Sequence, residues 1–391
     1  MREQFEDTRL AFSDRSDREL KKAYWLFRLV GSPWLVRTGS VLLRTALWLR
    51  LPVSWALKPT IFSHFCGGED IPSCQGTIDR LGRSGIRTIL DYSAEGKKDD
   101  ADFDGTAAQV MATIRKAVED PHIPYAVFKP TGMARFGLLE KMQSGKPLSG
   151  SEGAERDRLL ERVHGICRLA AETGVPVMVD AEESWIQGAV DRLVEELMFA
   201  YNRRSPLVFT TLQMYRHDRL QYLREVVERC REQRVYAAFK LVRGAYMEKE
   251  RIRAGELGLP SPIYPDKVGT DRAFDEATRI CLDNHRNVAV CIGTHNEKSC
   301  DLAVLAMKER GIPPGHPHVS FAQLLGMSDH ISYPLASAGY NVCKYVPYGP
   351  VRTVVPYLVR RAEENTSVAG QTSRELDLIR REIRRRRSRE A

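Results

Sequence analysis

EGAERDRLLERVHGICRLAAETGVPVMVDAE, residues 152–182, sets two periodicities side by side. Leu159, Val163, Ile166, Cys167 and Ala170 recur at steps of three and four, the spacing of one face of an amphipathic helix. Gly174 follows as a C-cap residue, because glycine readily takes the left-handed conformation that ends many helices. VPVMVDAE (175–182) is then a short apolar, β-branched run that finishes on acids. A near-continuous apolar strand belongs in a sheet covered on both faces, and a helix leading into it is the unit of an α/β fold.

The alternation continues in both directions. Further candidate strands are RTILDYS (87–93), PYAVFKPT (124–131), PLVFTTLQMY (206–215), VYAAFKLVRGAY (235–246), NVAVCIGTHN (287–296), HVSFAQLLGM (318–327) and NVCKYVPYG (341–349). With 175–182 that makes eight, and eight strand–helix repeats predict closure as a (β/α)8 TIM barrel. A doubly wound open sheet is the alternative, but no G-x-G-x-x-G follows any strand. The expected organisation is an N-terminal helical segment (1–75), the barrel (76–370) with its last helix over the mouth, and a basic C-terminal tail (371–391).

At 391 residues, 43% hydrophobic and 28% charged, the composition is that of an ordinary globular protein. Net charge is +8, and eight arginines against four acids lie between Arg374 and Ala391. That run reads as a solvated helix or frayed end, with contact to anionic lipid or nucleic acid as the alternative. The eight scattered cysteines show no C-x-x-C and read as reduced thiols. His316 and His318 lack neighbouring ligands, so no metal site is expected. Residues 24–62 read as two or three amphipathic helices packed on the main domain, with a membrane-surface role as the alternative. Arginines interrupt every candidate membrane span there, and the first twenty residues are too acidic for a secretory signal.

Polar residues gather at the strand ends: Asp91 with Glu95, Lys129, Asp180 with Glu182, Gln213, Arg243 with Tyr246, Thr294-His295-Asn296, Gln323 and Tyr345. Each alone has a plain structural explanation as a cap or surface pair. In a barrel they converge on the one mouth where active sites of this fold lie. YLVRRAEEN (357–365) adds Tyr357, Arg360, Arg361 and Glu364 on one helical face, opposite Val355, Leu358, Val359 and Ala362. Pro356 suits the first turn of that helix. An exposed Arg360–Glu364 pair is the plain reading, and a clamp for a carboxylate or phosphate is the functional one. Cations and aromatics without a nucleophile–base couple favour redox chemistry on a bound cofactor over acyl transfer.

FKPTG, VDAEE, LQMY, KLVRGAY, GTHN, FAQLLGM and YVPYGP…YLVRRAEEN, in this order, resemble the proline dehydrogenase family, flavoenzymes on a distorted (β/α)8 barrel. The resemblance covers roughly Ile61 to Thr366, and HFCGGED and DYSAEG look like its monofunctional branch. It implies that Arg360 and Arg361 pair with the carboxylate of L-proline. Lys129 and Glu364 would complete that network, with Asp180 orienting Lys129. Leu324, Tyr345, Tyr357 and Tyr246 would pack around the pyrrolidine ring. FAD would be held by Gln213, Lys240, Val242, Arg243, Gly244, Ala245, Thr294, His295 and Asn296, Gly244 letting backbone approach the cofactor.

The implied reaction is hydride transfer from C5 of proline to flavin N5, giving 1-pyrroline-5-carboxylate, with electrons passed to membrane quinone. Lys240 stands where many bacterial relatives carry Arg, and Met247 replaces an aromatic residue of the bifunctional relatives. The expected location is the cytoplasm, with peripheral contact to the inner membrane. Hydroxyproline dehydrogenase of the same superfamily is the nearest alternative, and the bulk of Tyr345 argues for proline. From another class, a catalytically inactive basic adaptor for membrane or nucleic acid is the alternative; nucleic acid is not an expected partner.

Overall fold

A computed structural model describes residues 1–49, 53–93, 99–367 and 371–390. Eight strands close into one barrel in the order β1-β2-β3-β4-β5-β6-β7-β8. They are β1 (Ile86–Tyr92), β2 (Tyr125–Phe128), β3 (Val177–Val179), β4 (Val208–Gln213), β5 (Ala237–Val242), β6 (Val288–Gly293), β7 (Val319–Leu324) and β8 (Val342–Tyr348). The pairs from β2 through β7 are parallel, as the helical crossovers require. Most strands are shorter than their apolar runs suggest. Thus 175–182 keeps only Val177–Val179 as strand, and Asp180 to Glu182 leave the ladder at its end.

One compact unit comprises Lys97–Ala322 with Gly339–Cys343. Its helix Gly150–Thr173 shows how local chemistry sets the element. Ser149 accepts from the Glu152 amide while Glu152 bonds back to the Ser149 amide, a reciprocal capping box. Gly174 ends the helix at φ +71°, in the left-handed region. Leu159, Val163, Ile166, Cys167 and Ala170 are all buried, the face read from their spacing. Burying such side chains contributes about 1.5–3 kcal/mol each for the larger ones.

The second unit comprises Met1–Gly96, Gln323–Ala338 and Lys344–Ala391. Here the arginine-rich segment is a regular helix, Gln371–Glu390, whose Leu378 and Ile379 are buried with Ala11, Phe12, Leu20, Ala23 and Phe27. Its arginines have partners far away in sequence. Arg374 and Arg381 bond to Glu6, the latter at 2.6 Å, and Arg386 donates to Asp17 and to the Phe12 and Arg15 carbonyls. The helix after β8 spans Val351–Ser367, so Pro356 lies inside it rather than in its first turn. Val354, Tyr357 and Leu358 pack there with Phe62, Phe65 and Met327. All eight cysteines are free and buried.

Candidate active site

β2 and β3 pair with Phe128 opposite Val179, so the next residues on each strand, Lys129 and Asp180, emerge side by side. The Lys129 ammonium lies 3.4 Å from one Asp180 oxygen. Lys240, in β5 and 5% exposed, contacts the other oxygen directly. One carboxylate therefore serves two ammonium groups that come from strands 111 residues apart by number (Lys129 to Lys240). The expected Lys129–Asp180 proximity is present, and Lys240 joins it.

Gln213 closes β4. Its amide donates to the Glu182 carbonyl at 2.7 Å and its oxygen accepts from the Ala245 amide at 3.0 Å. Glu182 itself is buried, with Thr131 donating through N–H at 2.8 Å and through its hydroxyl at 2.6 Å. Burial pushes the Glu182 carboxyl up to about 7, and the neighbouring charge of Glu183 adds to the rise, against the hydrogen bonds from Thr131 and the pull of Lys129. Glu182 was legible only as a strand-end acid; the cue to its special state is the pair of Thr131 bonds, which no spacing in sequence reveals.

Arg243, just past β5, is held on three sides. Its Nε donates to Asp271 at 2.7 Å, one terminal nitrogen to the Thr294 hydroxyl, and the other to Ser299 at 2.9 Å. The guanidinium carbon also sits 4.5 Å from the Phe274 ring centroid. Asn296 caps the helix Glu297–Glu309, accepting from the Lys298 amide at 2.9 Å, while its own N–H donates to Thr294 at 3.1 Å. His295 is half-buried between them, and the Val242 carbonyl accepts from Met214 at 2.8 Å.

Gly244 meets a steric demand. Its φ is +141°, and a Cβ placed there would lie 2.6 Å from the Tyr215 ring. The demand comes from the chain's own packing. Ala245 and Met247 are exposed, and Lys249 places its ammonium 5.3 Å from the Tyr246 ring centroid.

In the other unit, Arg360 and Arg361 are half-buried on the helix Val351–Ser367. The Arg361 guanidinium carbon lies 5.1 Å from the centroid of the buried Tyr357 ring, one helical turn away. Leu324, at the end of β7, packs against the cluster that contains Tyr357. The Leu325 N–H donates to the Tyr345 carbonyl at 2.9 Å, bringing that strand end alongside. Gln323 is buried and accepts from Ser332 at 2.8 Å. The side chain of Glu364 and the whole of Glu95 lie outside the described residues.

Sequence reading passed over a buried ion cluster in this unit. Lys344, in β8 and 0% exposed, meets Asp329 at 2.8 Å and the Met327 carbonyl at 2.6 Å. Arg15 reaches the other Asp329 oxygen at 3.0 Å. These cations hold the Asp329 carboxyl well below the usual range despite its burial. The available signal was a lysine in the apolar run NVCKYVPYG, since a buried ammonium needs an acid.

The proline dehydrogenase family model matches residues 74–374. Proline dehydrogenase 1, mitochondrial, of Dictyostelium discoideum is 31% identical over 87% of this chain and 67% of its own length. Hydroxyproline dehydrogenase of Xenopus laevis is 31% identical over 96% of this chain and 90% of its own. Among solved structures, proline utilization A of Bdellovibrio bacteriovorus superposes with a TM-score of 0.73 at 19% identity, covering 92% of this chain. That similarity shows the shared fold, and this chain spans 38% of the larger protein's length.

Proposed function

Because the chain belongs to the proline dehydrogenase family of oxidoreductases, we propose that it oxidises L-proline to 1-pyrroline-5-carboxylate, with FAD as cofactor and a quinone as final acceptor. The observation that carries this reading is the donor set on neighbouring barrel strands: Lys129 and Lys240, which share the Asp180 carboxylate, with Gln213 at the end of β4 and Arg243 just past β5. Ammonium, guanidinium and amide donors fit a flavin dinucleotide in kind: a ring that gains negative charge on reduction, joined to a diphosphate. When bound, FAD supplies the two-electron acceptor for the hydride leaving C5 of the substrate ring.

The chain's own residues divide the remaining work. Lys240, held by Asp180, would present an ammonium group to the cofactor ring, which gains negative charge on reduction. Gln213 offers an amide to the ring edge by exchanging one of its two present bonds, to Glu182 or to Ala245. Arg243, Gly244, Ala245 and Val242 would hold the cofactor's diphosphate part, and Thr294, His295 and Asn296 its nucleotide end. Arg360 and Arg361 would take the proline carboxylate in charge-assisted, bidentate bonds. The stacking of Arg361 on Tyr357 supports this role, because it pre-orients a guanidinium that would otherwise lose rotamer freedom on binding. Leu324, Tyr345, Tyr357 and Tyr246 supply apolar contact to the ring. The substrate would lose a hydride from C5 to the bound cofactor and a proton from nitrogen to solvent, and a C=N double bond would form between those two atoms.

The test is the visible spectrum of the purified protein under anaerobic L-proline. Bleaching of flavin bands by proline, with a KM raised at least tenfold in Arg360→Ala, is the expected result. Flavin that proline cannot reduce overturns the substrate, and a protein that takes up no flavin overturns the whole reading. The Xenopus hydroxyproline dehydrogenase, 31% identical over 96% of this chain, favours trans-4-hydroxyproline as the second substrate to try. Equal bleaching by both would overturn the selectivity argued from Tyr345.

A further inference from the structure

Glu250 is 1% exposed and sits on the helix Met247–Glu256, which directly follows the turn Arg243–Tyr246. One of its oxygens accepts from the Ser184 N–H at 2.7 Å and the other from the Ser184 hydroxyl at 2.6 Å. Ser184 opens the helix Ser184–Tyr201, whose own N-cap residue, Glu183, makes no side-chain cap bond. Glu250 therefore caps that helix from 66 positions away in the chain, setting a carboxylate against its N-terminus. Such a buried, charge-assisted pair is strong when made and costly to break.

The residues around this pair repeat the pattern. Glu182, Glu183 and Ser184 are consecutive, and each fixes one point of residues 245–250. The Glu182 carbonyl and the Ala245 N–H are joined through the two ends of the Gln213 amide. Glu183 takes the Lys249 ammonium at 2.6 Å, and Ser184 takes Glu250. Further along the helix, Arg253 donates to Glu140 at 2.9 Å and lies 4.5 Å from a ring centroid of Trp185. Apolar packing offers little in place of these bonds. Along Met247–Glu256 only Glu250 and Ala254 are buried, and Met247 and Ile252 face solvent. A helix of ten residues does not hold itself in water, so polar anchors set its position and that of the turn at its root.

We infer that Glu250 is a positioning residue for the cofactor: through Ser184 it locks the turn Arg243–Tyr246 onto the segment that follows β3, and so places the diphosphate donors relative to Gln213. This role rests on the cofactor reading given above. The anchors are not equivalent. Gln213 gives up one of its two bonds when it turns its amide to the flavin ring, so its bridge between Glu182 and Ala245 opens at one end on loading. Lys249 is 63% exposed, and an ion pair so open to water holds little. Glu250 is the buried anchor that remains between the two segments while the cofactor is bound.

The test is the release of FAD from the loaded full chain, followed by flavin fluorescence after dilution, beside thermal unfolding of the same proteins. Glu250→Ala should release FAD about tenfold faster than the parent. Still loaded, it should keep the parent's KM for L-proline within about twofold, because the carboxylate-binding arginines are not on this helix. Val226→Ala, a core truncation in the helix Arg219–Glu232, is the stability control. It should lower Tm and leave FAD release within about twofold of the parent. Less than about threefold faster release from Glu250→Ala overturns the proposal, as does equal acceleration in Val226→Ala, since release then follows stability alone. If Glu250→Ala does not fold, Ser184→Ala, which removes only the hydroxyl donor, replaces it: release about threefold faster supports the role and unchanged release overturns it. A parent that binds FAD which L-proline cannot reduce loses the substrate assignment and keeps this one. A parent that takes up no FAD loses both.

Discussion

Replacing Glu182 by Gln should make the protein's relative stability depend on pH in a direction set by the buried carboxyl. Glu182 has an ordinary value near 4.5 and is pushed to about 7 in the fold, chiefly by burial. A raised carboxyl means that the native state binds more protons than the unfolded chain between those two values. Stability from this group is therefore unpenalised below about 4.5 and is lost as pH rises through about 7. The difference of about 2.5 units, at 1.36 kcal/mol each, is a penalty of ~3 kcal/mol once the native carboxylate is fully ionised near pH 8. Glutamine fills the same volume, keeps an oxygen for the Thr131 N–H and presents its amide to the Thr131 hydroxyl, which can accept. It never ionises. Urea unfolding of both proteins from pH 5 to 8, compared at each pH, cancels every other titrating group. Glu182→Gln should gain on the parent by about 2.5 kcal/mol across that range, since roughly 0.8 kcal/mol of the penalty is already present at pH 5. A difference that stays flat within ~0.5 kcal/mol would show that Glu182 titrates alike in both states and would refute the reasoning.

Two further perturbations test the packing beneath the site. Lys344→Met removes one of two cations from buried Asp329 and strips a donor from the Met327 carbonyl, and should cost about 3–5 kcal/mol; a loss under ~1 kcal/mol in urea unfolding would mean that Arg15 alone satisfies the acid. Gly244→Ala places a Cβ against Tyr215 at a φ of +141° and should cost about 2–5 kcal/mol, with Tyr215→Ala relieving at least ~1 kcal/mol of it in a double-mutant cycle. Additive effects of those two substitutions would remove the steric account of Gly244.

The parts of the fold legible in sequence are those whose cause is local. The helix Gly150–Thr173 declares itself through the Ser149–Glu152 box at one end, Gly174 at the other and a buried stripe between. The strands declare themselves by apolar runs, and counting eight of them is enough to expect closure. Even the neighbouring of Lys129 and Asp180 follows from local facts once the barrel is granted, because each residue directly follows its strand and the two strands run parallel in register. What spacing cannot supply is the third member. Lys240 sits inside an apolar strand, and only the barrel's curvature turns its side chain toward Asp180. Nor does spacing reveal the crowding at Gly244: its neighbour there is Tyr215, across the β4–β5 pair, and no motif names it.

The arginine run at the C-terminus shows the limit most clearly. Eight arginines against four acids read as a helix for solvent or an anionic partner, and by composition that is the right first inference. Composition, however, counts charges and leaves out where their partners are. Glu6 stands 368 positions from Arg374 and 375 from Arg381, yet it accepts from both. Glu382, buried between Arg385 and Arg386, is held at about 2, so each of these charges is already spent on its neighbour. The apolar residues Leu376, Leu378, Ile379 and Ile383, set among many arginines, were the local hint that this helix has an inner face. The opposite error threatens at residues 25–55, where apolar residues invite the reading of a packed core although half of that face is exposed. A basic stretch and an apolar stretch thus exchange their expected partners. The basic helix is docked by its own protein's acids, while Trp34, Val41 and Leu42 of the apolar one are exposed.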